Sequence, residues 1–293
     1  MLTMIIRIFV LVLPFFVITQ TQVQAQDSDF QYQKTEVKGA ISVLHGAGGN
    51  IGVLQGDDGL LVIDDGFVFN SGQLESALAA YGDAPRYVLN THWHGDHTGG
   101  NAALGEATIV AHENVRIRLA AGSTVPGREA EPAPQAALPD FTYKEGMSIH
   151  FAGQEISAVH FPVGHTDGDS VIFFEPAHVV HTGDLFFSGA FPFIDPDSGG
   201  SVAGYTANVA AIIALLDNDT VIIPGHGPVS TLDDLKGFQN MILETTAAVR
   251  AFKADGKSLE EAQAQGLSEE WVGWGDGFIN HPRWISILWS GTD

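Results

Sequence analysis

Residues 91–97 read Thr-His-Trp-His-Gly-Asp-His, so three imidazoles and one carboxylate fall between His92 and His97 in a chain with 12 histidines. Neutral imidazole and carboxylate are borderline-to-hard ligands that suit zinc and its neighbours. A tetrahedral ion rarely takes all its ligands from a single loop. The crowding therefore points to two ions side by side, each needing further ligands from elsewhere in the chain.

Later segments share this character. Gly164-His165-Thr166, Thr182-Gly183-Asp184 and Gly225-His226-Gly227 each close an apolar, β-rich run: Glu155–Phe161, Val179–Thr182 and Thr220–Ile223. Glycine lets the backbone turn sharply and approach an ion closely, and a strand before each ligand-type residue fixes its position. The rest of the pattern supplies more such strands: Ala40–Leu44, Ile51–Gln55, Leu60–Ile63, Arg86–Asn90, Ala107–Ala111, Phe141–Lys144, Met147–Phe151 and Ser170–Glu175. Helices are expected over Ser71–Ala80, Asn114–Ala121, Val202–Leu216, Leu232–Ala254 and Ser258–Gln265, with a last one from about Pro282. Residues 122–139 hold Pro126, Pro132, Pro134 and Pro139 and read as a long loop of the kind that often forms a lid. Strands and helices come in two similar halves. This predicts a layered α/β fold, two sheets face to face, with its polar clusters at strand ends.

Together these motifs resemble the metallo-β-lactamase superfamily, over residues 37 to 255. The resemblance implies an αββα sandwich of two mixed sheets with helices outside and metals at one edge. Residues 26–293 would form one domain, with a helical segment over about 256–293. The resemblance also implies roles. His92, His94 and His165 would bind one ion, and Asp96, His97 and His226 the other, with Asp184 bridging. Two Zn2+ ions per chain are expected. They would lower the pKa of a shared water, giving a bridging hydroxide near neutral pH, and Asp96 could orient that hydroxide or take its proton. No Ser or Cys nucleophile is needed.

The composition narrows this reading. There is no cysteine, which excludes a disulfide framework, a thiolate ligand and a Cys nucleophile. The formal net charge is −22, so phosphate backbones are repelled and nucleic acid is not an expected partner. At the N-terminus Arg7 precedes the apolar run Ile8–Ile18, then polar Thr19–Gln22 and the small-residue site Val23-Gln24-Ala25. This resembles a secretory signal peptide over residues 1–25, cut after Ala25, and implies a periplasmic or secreted protein. The run is short for a membrane span. An uncleaved anchor is the alternative; after cleavage no stable membrane insertion is expected.

Asp184 stands where one lactamase subclass has a Cys ligand, and Phe187 where that subclass has a substrate-binding Lys. The glutathione-thioesterase branch shares the bridging Asp but needs cationic groups, and the segment after Asp184 supplies none. The expected function is an exported dinuclear zinc hydrolase opening a lactone, ester or amide bond in a small, fairly apolar molecule. The alternatives are a β-lactamase proper, an iron-dependent redox member resembling persulfide dioxygenases, and a non-catalytic metal-binding protein.

Other residues carry two readings. Asp64 or Asp65 could hydrogen-bond a ligand histidine or cap a turn. Gly48-Gly49-Asn50 could aim backbone N–H groups at the pocket or form a tight turn. The aromatic loop Phe186–Asp195 could line an apolar pocket or pack the core, with the turn Asp195–Ser201 and Tyr205 as pocket rim. Trp271, Trp274, Trp284 and Trp289 are expected to pack the last helix. His45, His112, His150, His160, His178, His181 and His281 are expected in ordinary polar roles, His45 and His181 being nearest the site loops.

Overall fold

A computed structural model describes residues 30–125 and 129–292; the signal-peptide expectation for residues 1–25 and Pro126 lie outside them. Strands β1 (Gln33–Lys38), β2 (Ile41–His45), β3 (Ile51–Gly56), β4 (Gly59–Ile63), β5 (Pro85–Asn90), β6 (Thr108–His112) and β7 (Phe141–Tyr143) form one sheet in chain order. It is antiparallel from β1 to β4 and parallel from β4 to β7. The second sheet runs β12 (Val221–Ile223), β11 (Val179–His181), β10 (Ser170–Glu175), β9 (Gln154–His160), β8 (Gly146–Phe151). It is antiparallel except for the β11–β12 pair.

The alternation of side chains across each strand builds the layers. In β4, Leu61 and Ile63 face the second sheet, meeting Ile156, Ile172 and Phe174, while Leu60 and Val62 face outward onto Leu74 and Leu78 of α1 (Ser71–Ala79). With both faces covered, β4 reads as a continuous apolar run, as buried strands do. On the far side, Val171, Val180 and Ile222 pack against α2 (Val202–Leu215) and α3 (Leu232–Ala254) through Val209, Ile212, Leu235 and Phe238. The order helix, sheet, sheet, helix is the expected αββα sandwich.

Two elements differ from the sequence reading. Strand β1 is additional; its mostly exposed Gln-Lys-Thr-Glu-Val-Lys lacks an apolar alternation, and its charges suit an unpaired sheet edge. The segment Gly95–Thr98, to which the sequence reading assigns no element, is a short helix, so His97 projects from a helical turn while His94 stays extended before it.

The C-terminal segment closes the far layer. Helix α4 (His281–Gly291) buries Trp284, whose Nε1–H donates to Thr245 Oγ1 of α3 at 3.0 Å. Its indole stacks on Phe191 with ring centres 5.5 Å apart. The last helix therefore holds the aromatic loop after β11 in place. Trp284→Ala is expected to lower stability by about 3–5 kcal/mol, the usual cost of truncating a large buried aromatic, measured by denaturant unfolding. A loss below about 1 kcal/mol would show that this clamp is dispensable.

Candidate metal centre

The site forms where strand ends of both sheets converge. From the first sheet, β5 runs into His92, His94, Asp96 and His97; from the second, β9, β11 and β12 run into His165, Asp184 and His226. All seven come together in two adjacent groups. His92, His94, His165 and Asp184 offer ligand atoms within 4.8 Å of one another, as do Asp96, His97 and His226.

Asp184 lies between the groups. Its Oδ2 is 3.4 Å from His165 Nε2 and 3.8 Å from His92 Nε2, while its Oδ1 is 3.0 Å from His97 Nε2 and 3.3 Å from His226 Nε2. One carboxylate oxygen thus faces each group. Asp96 Oδ2 approaches the second group, 3.4 Å from His226 Nε2 and 3.7 Å from His97 Nε2. The chain supports this geometry closely. A Cβ at Gly225 would lie 2.2 Å from Asp184 Oδ1, so no other residue fits beside the carboxylate. The hydroxyl of buried Tyr205 donates to the Asp184 carbonyl at 2.7 Å, so Tyr205 holds the backbone from behind rather than forming a pocket rim.

Hydrogen bonds on the far side of the rings decide which imidazole nitrogens are bare. His165 Nδ1–H donates to the Phe193 carbonyl at 2.7 Å, leaving Nε2 without a proton in the neutral ring. His94 Nε2–H donates to Asp195 Oδ2 at 3.0 Å, leaving Nδ1 bare. These two bare nitrogens are only 2.8 Å apart. His92 Nδ1–H is directed at Thr91 Oγ1 (3.1 Å), whose own hydrogen goes to Asp64 Oδ2 at 2.7 Å. His97 Nδ1–H donates to the same Asp64 oxygen at 2.7 Å. Lone pairs this close repel unless a cation lies among them. His92 Nε2 and Asp184 Oδ1 are also buried with no hydrogen-bond partner. The donor set therefore fits a pair of imidazole- and carboxylate-liganded cations such as zinc.

Electrostatics agree. Burial pushes Asp184 upward, but the surrounding His97, His226, His92 and His165 outweigh it and hold the carboxyl well below the usual range. Burial holds His92 well below the usual imidazole value and His165 at about 4, so both stay neutral as ligands must. Burial disfavours charge on His97 and His226 too, yet Asp184 and Asp96 pull both upward; that region favours positive charge.

Asp64 is the acid that orients ligand histidines, accepting also from the Thr91 N–H at 2.7 Å, and it sits at φ 62°, a left-handed conformation that Asp and Asn tolerate. Asp65 instead accepts from the Gly100 N–H. Gly48 lines the cavity in a bend of the chain, but Gly49 N–H goes to the Asp96 carbonyl and Asn50 N–H to the Gly225 carbonyl, so neither of those two groups serves the pocket. His181 and His45 both hold Asn50, through its carbonyl and its Oδ1, and Asn50 Nδ2 in turn holds the Pro224 and Gly227 carbonyls around His226. Apart from the local His45–Asn50 bond, these supporting contacts join distant residues, and no spacing in the sequence signals them.

A cavity of about 580 Å3 opens over the two groups, with Asp96, Asp184 and His226 at its base and Phe67, Trp93, Phe187, Phe193 and Phe278 among its walls. The aromatic loop divides its work. Phe187 stacks on the His226 ring (4.7 Å, 13°) and Phe193 faces His94 at 5.9 Å, whereas Phe186 is buried against Phe238. Because Asp64 orients His97 directly and His92 through Thr91, Asp64→Asn, which keeps the backbone conformation, is expected to weaken zinc binding about 10–100-fold. Competition with a chromophoric chelator measures this, and unchanged affinity would remove Asp64 from the account.

A family model described as the metallo-beta-lactamase superfamily matches residues 46–226. Hydroxyacylglutathione hydrolase from Anaeromyxobacter dehalogenans is 30% identical over 166 residues, which cover 55% of this chain and 57% of that relative; this chain therefore spans little more than half of it. A metallo-beta-lactamase from Pontibacter korlensis superposes with a TM-score of 0.60 at 16% identity, over 73% of this chain and 99% of the other. A stereoselective inverting sec-alkylsulfatase from Pseudomonas sp. does so with a TM-score of 0.67 at 16% identity, over 88% of this chain and 50% of the other. The structural likenesses carry the fold, and the family match carries more than half of the sequence, including every residue from His92 to His226 that forms the paired groups: the chain belongs to the metallo-beta-lactamase superfamily.

Proposed function

We propose that this protein is a dinuclear zinc hydrolase that opens an acyl bond in a small, largely apolar molecule. The observation that carries the reading is the pair of ligand groups sharing Asp184 at the base of an aromatic cavity. Two divalent ions held there would supply Lewis acidity and a water acidified to near-neutral pKa.

The chain's own residues supply the rest. Asp96 lines the cavity, and its carboxylate is partly exposed beside His226, so it can ligate through Oδ2 and accept a proton from an approaching water at its other oxygen. Phe187, Phe193 and Trp93 exclude bulk water and give apolar surface to the substrate body. The lining is largely apolar: among the described residues no Lys or Arg lines it, and the Arg283 guanidinium lies over the Phe278 and Phe193 rings of its wall, 4.5 and 5.6 Å from their centres. Such a lining favours a neutral lactone or ester over β-lactams or glutathione thioesters, although a relative carries the name hydroxyacylglutathione hydrolase. Export belongs to the same proposal and rests on the pattern of residues 1–25; a mature chain beginning at Gln26 would support it, and a retained N-terminus in the cell would oppose it.

A panel of lactones, esters, thioesters and β-lactams tests the reaction. Turnover is expected to be highest on neutral, apolar lactones or esters, to vanish on chelation and to return with zinc. Asp96→Asn is expected to lower kcat by about 10²–10⁴-fold, and Asp184→Ala by orders of magnitude. Full activity in Asp184→Ala, or no turnover of any acyl substrate by zinc-loaded protein, would refute the proposal. Activity that appears only with iron and consumes oxygen would assign the redox alternative.

A further inference from the structure

The imidazole group His92, His94, His165 is backed by a short loop whose polar side chains the reaction scheme does not use. Residues 193–200 follow the aromatic stretch after β11 and lie against two of its three rings. The Phe193 carbonyl accepts from His165 Nδ1–H, and Asp195 Oδ2 accepts from His94 Nε2–H. Asp195 is 1% exposed. Its carboxylate is fixed by Ser198, whose hydroxyl donates to the same Oδ2 at 2.6 Å. Its backbone is fixed as well: the Asp195 N–H donates to the His165 carbonyl at 2.9 Å, and the Gly200 N–H to the Asp195 carbonyl at 2.8 Å.

We propose that Asp195 is a positioning residue for the first ion alone: with Ser198, it fixes the tautomer and ring angle of His94, so that Nδ1 is the nitrogen presented to metal. This inference rests on the metal-centre reading and adds an asymmetry to it. Asp64 reaches both groups, His97 directly and His92 through Thr91. Asp195 meets a ligand of the first, an imidazole group whose other carboxylate is the shared Asp184. A carboxylate accepting from the far side of an imidazole also raises the ring's basicity and so its affinity for a cation. The contact joins residues 101 positions apart, so losing it separates the two ions' affinities without touching any ligand.

The test is zinc titration of metal-free full-length protein against a chromophoric chelator, paired with cobalt(II) substitution. The unsubstituted chain is expected to bind two equivalents. Asp195→Ala is expected to weaken one equivalent by about 10–100-fold and leave the other unchanged, with only one cobalt absorption component altered. Asp195→Asn, which keeps the size of the side chain, carries the test if the alanine variant does not fold, and is expected to weaken the same equivalent less. Two undisturbed equivalents in a folded variant, or parallel loss of both, would overturn the inference. Failure of the unsubstituted chain to bind zinc would instead overturn the metal-centre reading on which it rests.

Discussion

The structure is organised around one buried carboxylate. Asp184 stands among four imidazoles, one oxygen toward His92 and His165 and the other toward His97 and His226. Taking a carboxylate out of water is costly unless it is met by compensating charge and hydrogen-bond donors. Burial holds His92 and His165 neutral, while the region of His97 and His226 favours positive charge, so cations among the rings would complete the compensation. Much of the nearby chain serves to hold this arrangement: the Tyr205 hydroxyl on the Asp184 carbonyl, the bare backbone of Gly225 beside its oxygen, and the convergence of strand ends from both sheets.

Around that carboxylate the protein settles protons by geometry. Four of the five histidines have their outward nitrogen committed to an acceptor: His97 to Asp64, His92 to Thr91, His165 to the Phe193 carbonyl and His94 to Asp195. Each commitment aims the opposite lone pair inward. The acceptors come from β4's end, β5's end and the loop after β11, so ligand orientation depends on how the two sheets meet. The fold links to the chemistry here, since shifting one sheet against the other would turn several rings at once.

The sequence made the ligands legible because they are local. Four sit between His92 and His97, and the others stand beside glycines at the ends of apolar runs. The sandwich was legible for a similar reason, since strands buried on both faces, such as β4, read as unbroken apolar runs. Strand β1 was hidden because an exposed, charged edge has no period-two pattern, and the Gly95–Thr98 helix because four residues leave no helical periodicity. Of the residues behind the ligands, Asp64 was legible as one of two strand-end candidates, whereas others were hidden for another reason. Asp195 meets His94 and Tyr205 meets Asp184 across long stretches of chain, and such pairings follow from tertiary packing rather than spacing. The aromatic loop could not be divided between pocket and core from sequence either, because Phe186 and Phe187 are neighbours with opposite fates.

If these residues form one centre for two ions joined by Asp184, elemental analysis of protein purified without chelator will find two zinc ions per unsubstituted chain. The same measurement on Asp184→Ala will show loss of metal once the shared carboxylate is removed. A single ion per chain, or a metal content that Asp184→Ala leaves intact, would contradict such a centre.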